Sequence, residues 1–262
     1  MSVYNAASGH CGGSLSIADV LAILYGNVLR HDPARPDLPE RDRVILSKGH
    51  AAPALYAALA ETDYFDLEIL WTLRKFGSPL QGHPCKLKGP PGLEMSTGSL
   101  GQGLSIAVGL AIGARILGEK WRTFCILGDG ELDEGSVWEA AMSAGHHKLD
   151  NLCAIVDNNG LQIDGECSEV MHLGNLDDKF RGFGWHVIRT DGHDISAMTK
   201  AFETAARTSG LPTAILLSTV KGKGVSFMEN RVEWHSKPLC EEDARKAVSE
   251  LGFGWGELGG VS

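Results

Sequence analysis

The sequence predicts a doubly wound α/β domain, with a mostly parallel sheet covered by helices on both faces. Three observations carry this. Apolar runs of strand length alternate with segments of helical period along the chain. Two of those runs, Thr123 to Leu127 and Leu152 to Val156, flank a helical segment from Ser136 to Lys148 in which Val137, Ala140, Ala141 and Ala144 share one face, a βαβ pattern. A late run, Pro212 to Val220, is apolar almost throughout, as a strand buried on both sides must be.

Composition narrows the function classes. The chain has 262 residues and a formal net charge of −9, with no basic run interleaved with aromatics, so nucleic acid is not an expected partner. No apolar stretch approaches the twenty or so residues needed to cross a bilayer, and MSVYNAASGH has neither a charged n-region nor an apolar h-region. A cytoplasmic protein that does not touch a membrane is expected. Its six cysteines form no CxxC pair and no zinc spacing, which predicts free thiols, with Cys125 and Cys153 inside core strands. One domain over residues 1–262 is the simplest organisation.

In chain order, Ser8 to Ser16 predicts a glycine-rich loop, and Ile17 to about Leu29 an apolar helix with Ser16 as its N-cap. His31 to Arg43, rich in proline and charge, predicts a surface loop. Then follow a short strand, a polar turn at Ser47-Lys48-Gly49-His50 and a helix, which puts His50 at the ligand edge of the sheet. A helix around Leu67, a Pro/Gly-rich loop and a second helix around Ala107 come next. Glycines 98, 101 and 103 lack the GxGxxG order of a dinucleotide site. WHVIRTDG predicts a strand and turn, Asp194 to Arg207 an amphipathic helix, and the tail a helix of mixed charge.

The chemistry concentrates where the two central strands stop, at Gly128-Asp129-Gly130 and at Asp157-Asn158-Asn159. A right-handed crossover sets parallel strands side by side with both carboxyl ends on one edge, so Asp129 and Asn159 should meet. A carboxylate, an amide oxygen and a nearby main-chain carbonyl are hard ligands suited to Mg²⁺, with Ca²⁺ as its substitute. Mg²⁺ leaves its remaining positions to water and phosphate. Gly128 and Gly130 let the backbone approach a phosphate-bearing ligand, and the next helix offers it free N–H groups. An EF-hand is excluded, because position six of the acidic run is Glu134 rather than Gly.

GDG followed after about thirty residues by a double Asn resembles the thiamine diphosphate motif, and GDGELDEGSVWEAAMSAGHHKLDNL resembles a transketolase specifically. The resemblance extends over SGHCGG, SKGH, GHP, STGSLGQG and EWH, nearly the whole chain, and Cys11 stands where the family usually has Pro. That departure predicts a less firmly held His10. The resemblance implies a thiamine diphosphate-binding fold and assigns roles residue by residue. His10 and His83 would face substrate, His83 beside the reacting carbon. His50 and His235 would reach the coenzyme diphosphate. Gly98 and Leu100 would offer it main-chain groups, Asp129, Asn159 and Leu161 would hold the metal, and Gly130 would line the diphosphate. Glu134 would join a contact network toward the pyrimidine ring and the neighbouring subunit.

The match is to the amino-terminal part of a transketolase, with the pyrimidine-binding domain absent from this chain. The resemblance therefore implies a ketol transferase acting on small sugars, phosphorylated in the family's manner, only with a second chain that carries the pyrimidine-binding and carboxy-terminal domains, as α2β2. Two other readings use the same metal motif: the α subunit of a 2-oxo acid decarboxylating complex, and a non-catalytic coenzyme-binding remnant.

Overall fold

Five parallel strands in the order β1-β2-β3-β5-β4 form the centre of the computed structural model, which describes residues 1–257. They are β1 Arg43–Leu46, β2 Thr123–Gly128, β3 Leu152–Asn158, β4 His186–Asp191 and β5 Thr213–Ser218. The α-helices, in order, are α1 Ser2–Asn5, α2 Cys11–Leu15, α3 Ala18–Ile23, α4 Ala52–Glu61, α5 Gln102–Leu117, α6 Gly135–His146, α7 Cys167–Val170, α8 Leu176–Gly182, α9 Ile195–Arg207 and α10 Glu241–Glu250.

Side chains alternate across each strand, and both faces are apolar. Val44, Leu46, Phe124, Ile126, Cys153 and Ile155 pack into one layer with α3, α4 and α9. Ile45, Cys125, Leu127, Ala154 and Val156 pack into the other with α5, α6 and α8. The predicted face of α6 is the buried one, through Val137, Ala140, Ala141 and Ala144. Helix α9 starts one residue later than expected, at Ile195, because Asp194 caps it by accepting a hydrogen bond from the Ala197 N–H at 2.9 Å.

This winding places a crevice at the carboxyl edge. The chain leaving β1 and β5 turns toward the α4 and α10 side, whereas the chain leaving β2 and β3 turns toward α6 and α8. Backbones that part to opposite faces leave a cleft above the strand ends, where open α/β sheets bind ligands. Registers align those ends in one rank: Gly128 lies opposite Asp157, and Asn158 opposite Ser218.

Three local expectations are corrected. The helix expected from Ile17 to Leu29 is α3 running into a π-helical turn, Leu24–Val28, and the residue at its N-cap is Ile17. The Ser16 hydroxyl donates instead to Asp157 Oδ2 at 2.6 Å, because a buried carboxylate needs donors more than an exposed helix end does. The segment around Leu67 is a 3₁₀ helix, Leu67–Thr72, rather than an α-helix. In the expected surface loop, Arg41 and Asp42 are buried. Arg41 pairs with Glu94, and Asp42 accepts from the Arg30 and Arg122 N–H groups at 2.9 and 2.7 Å. Arg41 thereby anchors the loop before β1 to the segment that leads toward Gly98, and Asp42 ties it to the chain before β2. The last residues of the Gly/Trp-rich tail, 258–262, lie outside the described residues.

Candidate active site at the strand ends

Strand β2 is followed directly by Asp129, whose N–H donates to the Asp157 carbonyl on β3 at 3.2 Å. Its carboxylate accepts from Gly130 N–H at 2.8 Å and from Gly160 N–H at 2.5 Å, so it reaches across to the residue after Asn159. Asn159 is held in turn: its Oδ1 accepts from Leu161 N–H and its Nδ2 donates to Asp157, each at 3.1 Å. These groups wall a cavity of about 310 Å³, the size of a small-molecule site.

Its charges are arranged in depth. Asp157 is fully buried and forms an ion pair with buried Lys48, with further bonds from Ser16 and Thr219. Burial alone would raise its pKa, but Lys48 and those donors hold it below the ordinary carboxylate range. Asp129, 2 % exposed, pairs with no basic side chain among the described residues. Burial, and then the neighbouring Asp157 charge, push it up to about 6. Lys221 sits opposite, its Nζ 3.0 Å from His235 Nδ1, and burial followed by the Lys48 charge lowers it to about 8.

Three imidazoles line the same cavity. The His10 and His50 ring centroids are 5.1 Å apart, His50 and His235 5.0 Å, and His10 and His235 5.4 Å. Burial first, and the nearby lysines and histidines after it, lower His50 to about 2 and His235 to about 3, so both are neutral at physiological pH. His10 Nδ1 is buried with no hydrogen-bond partner. A buried polar atom left in that state points to a ligand that completes it.

A closely approaching backbone forms the remaining wall. A Cβ on Gly49 would lie 2.9 Å from Gly98 N, so only glycine lets the turn after β1 meet that loop. Gly98, at φ +150°, lies under the His83 ring. Glu131 fastens the loop from beyond Leu100. One carboxylate oxygen accepts from Gly101 N–H at 2.9 Å and from the Ser47 hydroxyl, and the other accepts from Gly128 N–H at 3.0 Å.

A family model described as "Transketolase, thiamine diphosphate binding domain" matches residues 1–257. The chain belongs to the transketolase family. It is 50 % identical over 243 residues to a 6-deoxy-6-sulfo-D-fructose transketolase subunit of Clostridium sp. (strain MSTE9), covering 93 % of this chain and 88 % of the relative. It is 42 % identical over 249 residues to an apulose-4-phosphate transketolase subunit from Phocaeicola vulgatus, covering 95 % and 88 %. The solved transketolase of Leishmania mexicana superposes with a TM-score of 0.92 at 33 % identity, covering 97 % of this chain but 39 % of that one. The chain thus spans about two fifths of the length of that transketolase and most of the length of the two subunits.

Within this transketolase domain, His10, His50, Gly98, Leu100, Asp129, Gly130, Asn159, Leu161 and His235 all line the one cavity. His83 stands at its rim, its ring centroid 6.3 Å from that of His10. Glu134 is not brought in: it is exposed, beside Gly101, and does not line the cavity. Sequence reasoning assigned no role to Lys48 or Glu131, and reached Lys221 only through the resemblance of KGKG to the family's last coenzyme contact. The signal they carried was a lysine or carboxylate close to a strand's carboxyl end, in SKGH, VKGKG and GDGE.

The donor set fits a hard divalent cation. Among the described residues no three His, Cys, Asp or Glu side chains cluster to hold a metal, so a cation here would use mixed oxygens: the Asp129 carboxylate, the Asn159 amide and the Leu161 carbonyl. A cation beside Asp129 would also restore the ionised form that burial opposes. The lysines and the N–H groups around the glycines fit the phosphates of thiamine diphosphate. No helix among the described residues is long and apolar enough to cross a membrane.

Proposed function

We propose that this chain is the diphosphate- and metal-holding subunit of a transketolase, transferring a two-carbon ketol unit from a ketose to an aldose. The observation that carries this reading is the convergence of Asp129, Asn159 and Leu161 with three neutral imidazoles and two buried lysines on one cavity. Bound thiamine diphosphate would supply the nucleophilic carbon that takes up and passes on the ketol unit. The chain's own residues do the rest. Lys221 sets a positive potential for the diphosphate in a poorly solvated wall, where charge acts strongly, while Lys48 offsets the Asp157 carboxylate behind it. Asp129, Asn159 and Leu161 hold Mg²⁺, or Ca²⁺ in its place. His50 and His235 donate neutral N–H groups to phosphate oxygens, so binding requires no proton uptake. His10 and His83 donate hydrogen bonds to sugar hydroxyls and to oxygen charge that develops in reaction, the kind of preorganised contact that contributes most to catalysis.

The partner is a second chain with the pyrimidine-binding and carboxy-terminal domains, assembled as α2β2. Relatives of similar length that are named subunits support this. The substrates are small sugars with an anionic end, phosphate or sulfonate, in keeping with the names of those relatives. Six unpaired cysteines suit the reducing cytoplasm. The comparisons favour transketolase over a 2-oxo acid complex, and pyruvate should give no turnover.

The test is reconstitution. Alone, the chain is expected to show no ketol transfer; with the partner chain, thiamine diphosphate and Mg²⁺, activity should appear in a coupled assay on a ketose phosphate or sulfonate. Full activity of the isolated chain would refute the two-chain reading.

A further inference from the structure

The loops that carry His10 and His83 are far apart in sequence, and one side chain outside the cavity touches both. Arg74 Nη1 donates to Ser8 Oγ at 2.9 Å, and Nη2 to the Gly82 carbonyl at 3.4 Å. We propose that Arg74 is a positioning residue whose guanidinium ties the stretch before His10 to the residue before His83, and so sets the spacing of the two imidazoles at the mouth of the cavity. This rests on the reading that both histidines face substrate.

Two independent features show a built arrangement. A Cβ on Gly82 would lie 2.8 Å from the guanidinium carbon and 2.9 Å from Nε, so the guanidinium packs directly against the Gly82 backbone. Arg74 itself takes φ +60°, a left-handed conformation unfavourable for a long side chain, and is held there by its N–H bond to the Leu80 carbonyl at 2.8 Å. On the far side, the Tyr56 hydroxyl donates to the Gln81 and His83 carbonyls at 3.0 and 3.2 Å, so the His83 loop is pinned from both flanks.

The clamp also carries charge. Burial comes first in lowering His10, to about 4, followed by Arg74, His83, Lys221 and Lys48, with the His50 and His235 rings also packed against it. His83 is lowered by burial and then by Arg74, with His10 as its ring neighbour. Arg74 does not figure among the charges acting on His50 or His235. One cation therefore both spaces the substrate-facing pair and adds to the burial that lowers both of its members.

Histidine NMR titrations of the isolated chain, combined with kinetics of the reconstituted enzyme, test this. Arg74→Gln is expected to raise the titration midpoints of His10 and His83 while leaving His50 and His235 in place. It should lower kcat/KM by roughly 10- to 100-fold, the scale of a misplaced reacting group, with coenzyme affinity within about twofold. Arg74→Lys should keep the low midpoints but recover kcat/KM only in part. Ser8→Ala, which removes one leg and keeps the charge, should lower kcat/KM with the midpoints unchanged, and it decides the question if Arg74→Gln does not fold. If Arg74→Gln or Ser8→Ala leaves kcat/KM within about twofold, or if Arg74→Gln moves neither midpoint, the proposal is overturned. A wild-type reconstitution with no ketol transfer would sink the functional reading instead, and the titrations would still decide whether Arg74 governs the pair.

Discussion

Asp129→Asn is expected to fold and yet fail to take up thiamine diphosphate with Mg²⁺, giving no binding heat in calorimetry and a loss of at least about 10³-fold in reconstituted activity. Metal charge stabilisation is worth several kcal/mol, and Asn159 and Leu161 bring no compensating negative charge. The same variant should behave oppositely without ligand. The folded-state pKa of Asp129 is raised from 3.8 to about 6, so the folded chain holds that proton longer than the unfolded one. Below both values the group is neutral in both states and contributes nothing. As pH rises from the unfolded value through about 6, wild type loses stability, by roughly 3 kcal/mol at 1.36 kcal/mol per unit. The neutral amide of Asp129→Asn carries no such penalty, although its nitrogen would face one of the two N–H donors. In metal-free urea melts, the stability of Asp129→Asn relative to wild type should therefore increase between pH 4 and pH 7. A flat difference would mean that burial does not strain the Asp129 carboxylate.

Lys48→Met should have the largest effect on the fold. The ion pair with Asp157 is buried on both sides, and Lys48 Nζ also donates to the Gly13 carbonyl at 3.2 Å. Removing the cation strands a carboxylate in the sheet, a loss of about 3–5 kcal/mol at neutral pH. The sign of the pH dependence changes too. In wild type the Asp157 pKa is depressed, so its contribution is present above the unfolded value and is lost as pH falls through the folded one. Without Lys48, burial dominates, the pKa rises, and stability is lost as pH increases. The deficit of Lys48→Met in urea midpoints should be smaller near pH 5 than at pH 8, and Lys48→Met/Asp157→Asn should recover much of it. Parallel curves at all pH values would contradict the pairing.

How much of this was legible in the sequence depended on distance along the chain. The βαβ unit from Thr123 to Asn158 declared itself through local period, and its two polar stops marked the candidate cation site because parallel strands joined by one helix have little freedom in register. The partners of Asp157 were not legible. Ser16, Lys48 and Thr219 come from three other segments, and nothing local separates a serine that caps a helix from one that bonds a carboxylate 141 residues away. Arg41 and Asp42 resemble loop charges until Glu94 and Arg122 arrive. Glu134 and Glu131 share a short acidic run, and only the 3₁₀ turn Gly130–Asp133 decides that Glu131 points inward to Ser47 and Gly101 while Glu134 is left outside.

Strand order carries one more consequence, for how the site comes apart. β3 lies at the middle of the sheet and β1 at its rim, yet Asn159 follows β3 and His50 follows β1. Thermal openings that peel a border strand should release His50, proposed to reach the diphosphate, while the residues proposed to hold the cation stay assembled. In deuterium exchange of the ligand-free chain, the amides of Ala154 to Val156 should then be among the slowest, and those of Val44 to Leu46 should exchange sooner through partial unfolding.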